Sequence, residues 1–209
     1  MEAKRSKVEQ ICDAIRLGLE KGRHIPGDRI DADALALKFR TSLTPVRYAL
    51  YCLWTEDVLE NHGRAGFCVP LLDEADLIDL YDSAESQLIP SCGIGHGPSK
   101  GTVGHLDLKK RNSDVVVLTR QLFGAMVFAS GRRSLCMGMR IANGRLGSIR
   151  RIERKLIDDA RGELISIHRL WQRGDPGLRA ALFEYHERRR RMAPKIVAVM
   201  RAGVRRADK

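Results

Sequence analysis

The chain has 209 residues, with 37 Lys and Arg against 26 Asp and Glu, 44% apolar and 5% aromatic side chains, and five cysteines. It is long enough to bury a core as one domain or two modest ones; disorder, collagen-like repeats and bilayer-spanning runs of roughly 20 apolar residues are excluded. The charge is uneven: residues 1–72 carry 11 basic and 10 acidic side chains, residues 73–209 carry 26 and 16, so net charge alone cannot mark the first part as a nucleic-acid binder and pattern must decide.

From Val8 onward Val8, Ile11, Ile15 and Leu19 recur at helical spacing and Gly22 supplies a stop, predicting a first amphipathic helix. His24-Ile25-Pro26-Gly27-Asp28 is a turn, after which Asp31 or Asp33 caps a short second helix carrying Leu35 and Phe39. Ser42 is an N-cap candidate and Pro45 falls in the first turn, where a missing N–H costs nothing; Val46, Leu50 and Leu53 then make the buried stripe of a third helix. Leu43, Thr44, Arg47, Tyr48 and Tyr51 are left facing outward. Two short segments around His62-Gly63-Arg64, with Phe67 and Val69 alternating to one side, predict a β-hairpin, and Pro70-Leu71-Leu72 a linker.

Beyond the linker the periodicity is helical, over Leu77 to Leu88, Val115 to Ala129, Leu135 to Arg145, Ile149 to Trp171 and Gly177 to Val204; Pro90 to Gly104 reads as a loop and Gly174-Asp175-Pro176 as a sharp turn capped by Asp175. The expected fold is mainly α: a winged helix-turn-helix over 1–72, followed by an all-α helical bundle over 73–209. In such heads the third helix lies in the major groove and the hairpin touches the neighbouring backbone or minor groove.

The run Ile25-Pro26-Gly27-Asp28-Arg29-Ile30, then Leu35-Ala36, Phe39, Ser42 to Leu50, and Arg64-Ala65-Gly66-Phe67-Cys68-Val69 resembles the DNA-binding domain of GntR-type bacterial transcriptional regulators over about sixty residues. The following bundle resembles the ligand-sensing FCD domain of the FadR branch, chiefly through Phe128 to Arg132 and Trp171 to His186. The resemblance implies a homodimeric repressor on a palindromic operator, of a kind usually released by a small organic acid, while for this chain an acid not chelated by metal, a different ligand, or none is expected. It assigns Ser42, Leu43, Thr44, Arg47 and Tyr48 to the recognition helix and His62, Gly63 and Arg64 to the wing tip. Arg suits a guanine edge and Ser or Thr a phosphate, whereas Leu43, where the family commonly has Arg or Met, offers only apolar contact.

Many domains of the FCD type hold a divalent metal through an Asp and three His. In this chain the corresponding positions are Thr119, Phe123, Leu164 and His186, with His168 one turn from Leu164, so no metal and no cofactor are expected. The expectation is an effector pocket lined by Thr119, Phe123, Leu164, His168 and His186, or a cavity repacked with side chains. Arg120, Arg140, Arg161 and Arg169 are candidates for an anionic effector, each with the alternative of a solvent-facing charge. Arg188 to Arg191 reads as a solvated helix face whose density would permit contact with flanking DNA.

The cysteines Cys12, Cys52, Cys68, Cys92 and Cys136 form no CxxC pair, which predicts reduced thiols, mostly small core fillers. Cys92, His96 and His105 would ligate zinc if the loop after Pro90 folded back, but a plain loop is expected. Gly93 to Thr102 fails the phosphate-loop pattern, because Ser99 stands where its last Gly is needed. No GxSxG or HExxH signature occurs, so the chain is not expected to be an enzyme. Met-Glu-Ala-Lys-Arg leads into no signal-like apolar run, which predicts a cytoplasmic, membrane-free protein. The rival from another class is a nucleic-acid-associated structural protein with sequence-blind affinity and no effector.

Overall fold

The computed structural model describes residues 5–92 and 113–207. Helix α1, Lys7–Glu20, opens on a capping box in which the Ser6 hydroxyl accepts from the Glu9 amide and the Glu9 carboxylate accepts from the Ser6 amide. Of the two candidate caps for α2, Ala32–Phe39, Asp31 serves, its carboxylate accepting from the Ala34 amide at 2.9 Å. Helix α3, Leu43–Thr55, follows a tight turn in which Arg40 is left-handed. Ser42 holds the N-cap position by its extended backbone, yet its side chain makes no capping hydrogen bond.

Strands β1, Glu60–Asn61, and β2, Phe67–Cys68, pair antiparallel, Glu60 opposite Cys68 and Asn61 opposite Phe67, around a single 3-10 turn at Gly63–Ala65. Two-residue strands are marginal alone. The segment before α2 reinforces them, with Ile30 N–H donating to Phe67 O at 2.8 Å, Val69 N–H to Asp28 O at 2.9 Å and an antiparallel bridge between Arg29 and Cys68. Sequence reading missed this third edge, because Asp28-Arg29-Ile30 has no alternation to betray it. Ile11, Ile15, Leu19, Leu35, Val46, Leu50, Leu53, Leu59, Phe67 and Val69 join in one core beneath these elements.

The second half is helical: α4 Glu74–Leu88, α5 Val115–Ala129, α6 Arg133–Leu156, α7 Ala160–Arg173 and α8 Leu178–Ala207. The expected break between Arg145 and Ile149 does not occur. One helix of 24 residues runs through it, and the chain turns at Ile157 to Asp159, where left-handed Asp159 caps α7 by accepting from the Gly162 amide. Glycines at this stretch of α6 serve a close approach. A Cβ on Gly147 would stand 3.3 Å from the Leu19 Cβ, and one on Gly144 would stand 3.0 Å from Val58, so α6 meets α1 and the end of the α3 loop nearly backbone to backbone.

Helix α4 packs on α6 and α8, and α5 on α6 and α7. Two cores result, one around Leu122, Phe123, Leu164, Trp171 and Tyr185, the other around Leu77, Tyr81, Leu146, Ile149 and Ile196. The five cysteines are free thiols, but only Cys12 is buried; Cys52, Cys92 and Cys136 fill core edges and Cys68 sits half-buried on the hairpin. Four of the five thus pack in or against a core, as expected of small fillers, and only Cys68 does not. His96, His105 and the rest of the proposed loop from 93 onward lie outside the described residues. Among the described residues no helix is long and apolar enough to cross a membrane.

Candidate nucleic-acid interface

On α3 the apolar positions Val46, Ala49, Leu50 and Leu53 are buried, which turns the intervening residues to solvent. Ser42, Thr44, Arg47 and Tyr48 are exposed, Tyr48 by 64%; Leu43 is half-buried against the head. His62, Gly63 and Arg64 are exposed at the hairpin tip. Between α3 and the hairpin runs an open groove of about 840 Å³, lined by Arg29, Arg47 and Arg64 together with Tyr51, Asp31 and Asp33. Asp31 is committed to capping α2. Tyr51 of α3 meets Phe67 of β2 edge-on with ring centroids 5.2 Å apart, a contact that ties the two walls of the groove together. Nothing in the local sequence marks Arg29; the pairing of its strand edge with Cys68 brings it into the same groove as Arg64.

The bundle residues behave differently. Phe123 stacks on His186 with centroids 6.0 Å apart and meets Tyr185 edge-on, and Leu164 is buried in the same core. Thr119 spends its hydroxyl on the Val115 carbonyl at 2.8 Å and borders a void of only about 10 Å³. His168 is half-exposed and lies by Trp171 rather than by His186. Burial holds the His186 pKa down to about 3, with the neighbouring Arg189 and Arg150 working in the same direction against the bond its Nδ1 makes to Leu182 O. A neutral imidazole stacked on a ring fills space that a ligand set would need open.

The arginine candidates are mostly spoken for. Arg120 pairs with Glu20, Arg140 with Glu56 at 2.7 Å, and Arg161 donates to the Ser113 carbonyl, while Arg169 is exposed. The four-arginine run is not a solvated face throughout. Arg189 is 2% exposed and bonded to Glu153 and Glu163 at 3.0 Å each; Arg190 reaches Asp82 and Glu85 of α4 at 2.7 Å; only Arg188 and Arg191 are exposed. Consecutive helical residues point about 100° apart, so a run of four must send at least one inward. There Glu153 of α6 awaits it.

A second open space lies where α1 meets α5 and α6. This cleft holds about 500 Å³ and is lined by Arg16, Glu20, Arg120, Arg140, Phe128 and Met139 among others. Arg16 and Arg140 share Glu56, tying α1, the end of α3 and α6 together. Glu20 is 3% exposed, its second carboxylate oxygen has no protein partner, and burial raises its pKa despite Arg120 and Arg150.

No protein-family model matches the chain. The Nta operon transcriptional regulator of Aminobacter aminovorans is 40% identical over 57 residues, a stretch that is 27% of this chain and 27% of that protein. Among solved structures, E. coli McbR/YncC aligns with a TM-score of 0.77 at 19% identity, covering 92% of this chain and 99% of that one. GntR from Rhodococcus sp. RHA1 aligns with a TM-score of 0.72 at 16% identity, covering 91% and 99%. At these identities the likeness is one of fold: the chain has the mainly α fold of GntR-type regulators.

Proposed function

We infer that the protein is a GntR-type transcriptional regulator, not an enzyme, whose residues 1–72 bind operator DNA and whose residues 73–209 form an FCD-like domain that dimerises and senses an effector. The observation that carries this reading is the exposed row Ser42, Thr44, Arg47 and Tyr48 beside a groove that Arg29 and Arg64 complete. In the docked state Arg47 reads a guanine edge, the Ser42 hydroxyl, free of capping duty, bonds a phosphate together with Thr44, and Arg64 with His62 and Gly63 follows the adjacent backbone. One short helix reads few base pairs, so a homodimer on a palindrome supplies the discrimination; exposed Phe183 and Val199 on α8 are apolar surface available for such a contact.

Repression is relieved by a small organic acid. Engaging Thr119, Phe123, Leu164, His168 and His186 requires the Phe123–His186 stack to part, whereas the cleft between α1 and α6 is already open and edged with guanidiniums, so the cleft is the favoured entrance. A ligand there touches both the reading head and the bundle, the condition for coupling them.

The test is footprinting of DNA upstream of the gene, followed by binding titrations against salt. The regulator reading expects a protected inverted repeat, a large affinity gap over random DNA at every salt concentration, and a sharp narrowing of that gap in Arg47→Ala. One steep salt dependence shared by all sequences would establish the sequence-blind structural protein instead.

A further inference from the structure

We propose that the base of the hairpin is a binding site for a divalent cation of borderline softness, zinc or an ion like it, held by Glu60, His62 and Cys68. The placement follows from strand geometry. Glu60 and His62 are two residues apart along β1 and its continuation, so they share a face, and Cys68 is the residue directly opposite Glu60 on β2. His62 Nε2 lies 3.1 Å from the Glu60 carboxylate and the Cys68 sulfur 3.9 Å from the same oxygen, and one donor atom from each of the three residues falls within 4.8 Å of the others. Bond lengths to zinc of about 2.3 Å from sulfur and about 2.0–2.2 Å from nitrogen and oxygen put tetrahedral donors roughly 3.3–3.7 Å apart, so closure asks the widest pair to approach by at most about 1.3 Å. Thiolate, imidazole and carboxylate together select zinc-like ions over magnesium or calcium.

The chemistry balances without a co-reactant. The aqueous ion displaces the thiol proton to solvent, exchanges waters for Sγ, Nε2 and a Glu60 oxygen, and keeps a water in the fourth position. The hairpin then carries one more positive charge than before: two from the ion, less the one lost when the thiol ionises. The ion also ties β1 to β2, a pair of two-residue strands that has little stability of its own. Both changes bear on Arg64 and Gly63 at the tip. The regulatory consequence, a metal-dependent grip on DNA, rests on the DNA-binding reading; the site itself does not.

The experiment uses the full chain, reduced and stripped by chelator, titrated with cobalt(II) and then with zinc as competitor. The wild type is expected to take up one equivalent with a thiolate-to-cobalt charge-transfer band and tetrahedral d–d bands that zinc erases. Cys68→Ser should lose the charge-transfer band. His62→Ala and Glu60→Gln should each weaken binding at least tenfold, since loss of even an outer-shell partner costs about 10–100-fold. Cys92→Ser should keep the spectrum. All four replace exposed or half-buried side chains, and circular dichroism verifies their folding. No band in the wild type, or a band that survives Cys68→Ser, overturns the site.

For the consequence, zinc is expected to tighten DNA binding by the wild type and to steepen its salt dependence by about one phosphate contact, leaving Cys68→Ser unmoved. A normal cobalt spectrum with unchanged DNA affinity overturns metal control alone. Cobalt uptake by a wild type that binds no DNA overturns the regulator reading and spares the site.

Discussion

Replacing Arg189 by Met keeps the aliphatic stem of the side chain and removes its guanidinium donors from a buried ion network. In the native fold its guanidinium donates to Glu153 and Glu163 at 3.0 Å each and to the Tyr185 carbonyl at 2.7 Å, and it lies 3.2 Å from the centre of the Tyr185 ring. Glu153, 4% exposed, would be left with the Tyr81 hydroxyl at 2.8 Å as its remaining hydrogen bond among those seen. Stranding a buried charge in this way costs about 3–5 kcal/mol. For a chain of this length each kcal/mol moves the melting temperature by roughly 2–4 °C, so a drop of about 6–20 °C is expected. Urea unfolding followed by circular dichroism measures the free energy, and a thermal melt the temperature. The companion variant Glu153→Gln keeps the Tyr81 bond and cancels the charge, and should cost about 1–3 kcal/mol. The decisive measurement is the double variant Arg189→Met/Glu153→Gln: with both charges gone it should recover most of the loss, giving a coupling of about 2 kcal/mol or more. A single variant costing under about 1 kcal/mol, or a double equal to the sum of the singles, would refute the view that this pair is an interdependent buried network.

His186 predicts a pH dependence. Its imidazole is held neutral down to about pH 3 in the fold, whereas in the unfolded chain it takes up a proton below about 6.5. Its contribution is therefore intact above that value and erodes as pH falls, by up to about 1.4 kcal/mol per unit. His186→Gln should flatten the pH 5–6.5 limb, and an unaltered slope would exclude His186 as the cause. Gly147→Ala should be nearly neutral by urea titration, because a helix-propensity gain of about 1 kcal/mol meets modest crowding at 3.3 Å, while Gly147→Leu should cost about 1–3 kcal/mol by prying α6 from α1. If leucine is tolerated as well as alanine, the close approach is not tight. On DNA, Arg64→Ala should weaken all sequences alike and lower the salt slope by about one. Arg47→Ala should instead cost about 1–3 kcal/mol of discrimination per half-site, and identical profiles for the two would contradict their separate roles.

The head was legible from the sequence because its signals are local. The Asp31 cap, Pro45 in the first turn of α3 and the stripe Val46, Leu50, Leu53 each act within a few residues, and burying that stripe forces Ser42, Thr44, Arg47 and Tyr48 outward whatever the neighbours are. Tertiary structure decided the rest. Periodicity alone stops at Arg145 and resumes at Ile149, and only the presence of α1 makes Gly144 and Gly147 a contact surface inside one long helix. Arg189 looked like one more surface charge until Glu153 from α6 and Glu163 from α7 met it. The hydrophobic residue in place of a metal ligand at Phe123 was visible; that it would stack on His186 and close the space was not. Nor does spacing along the chain show Cys68 opposite Glu60, or Arg29 beside Arg64, since both depend on strand register. Periodicity and capping report how one segment presents its faces to water, whereas a cleft, an ion network or a cross-strand cluster is made by segments distant in sequence, whose meeting only the packed cores determine.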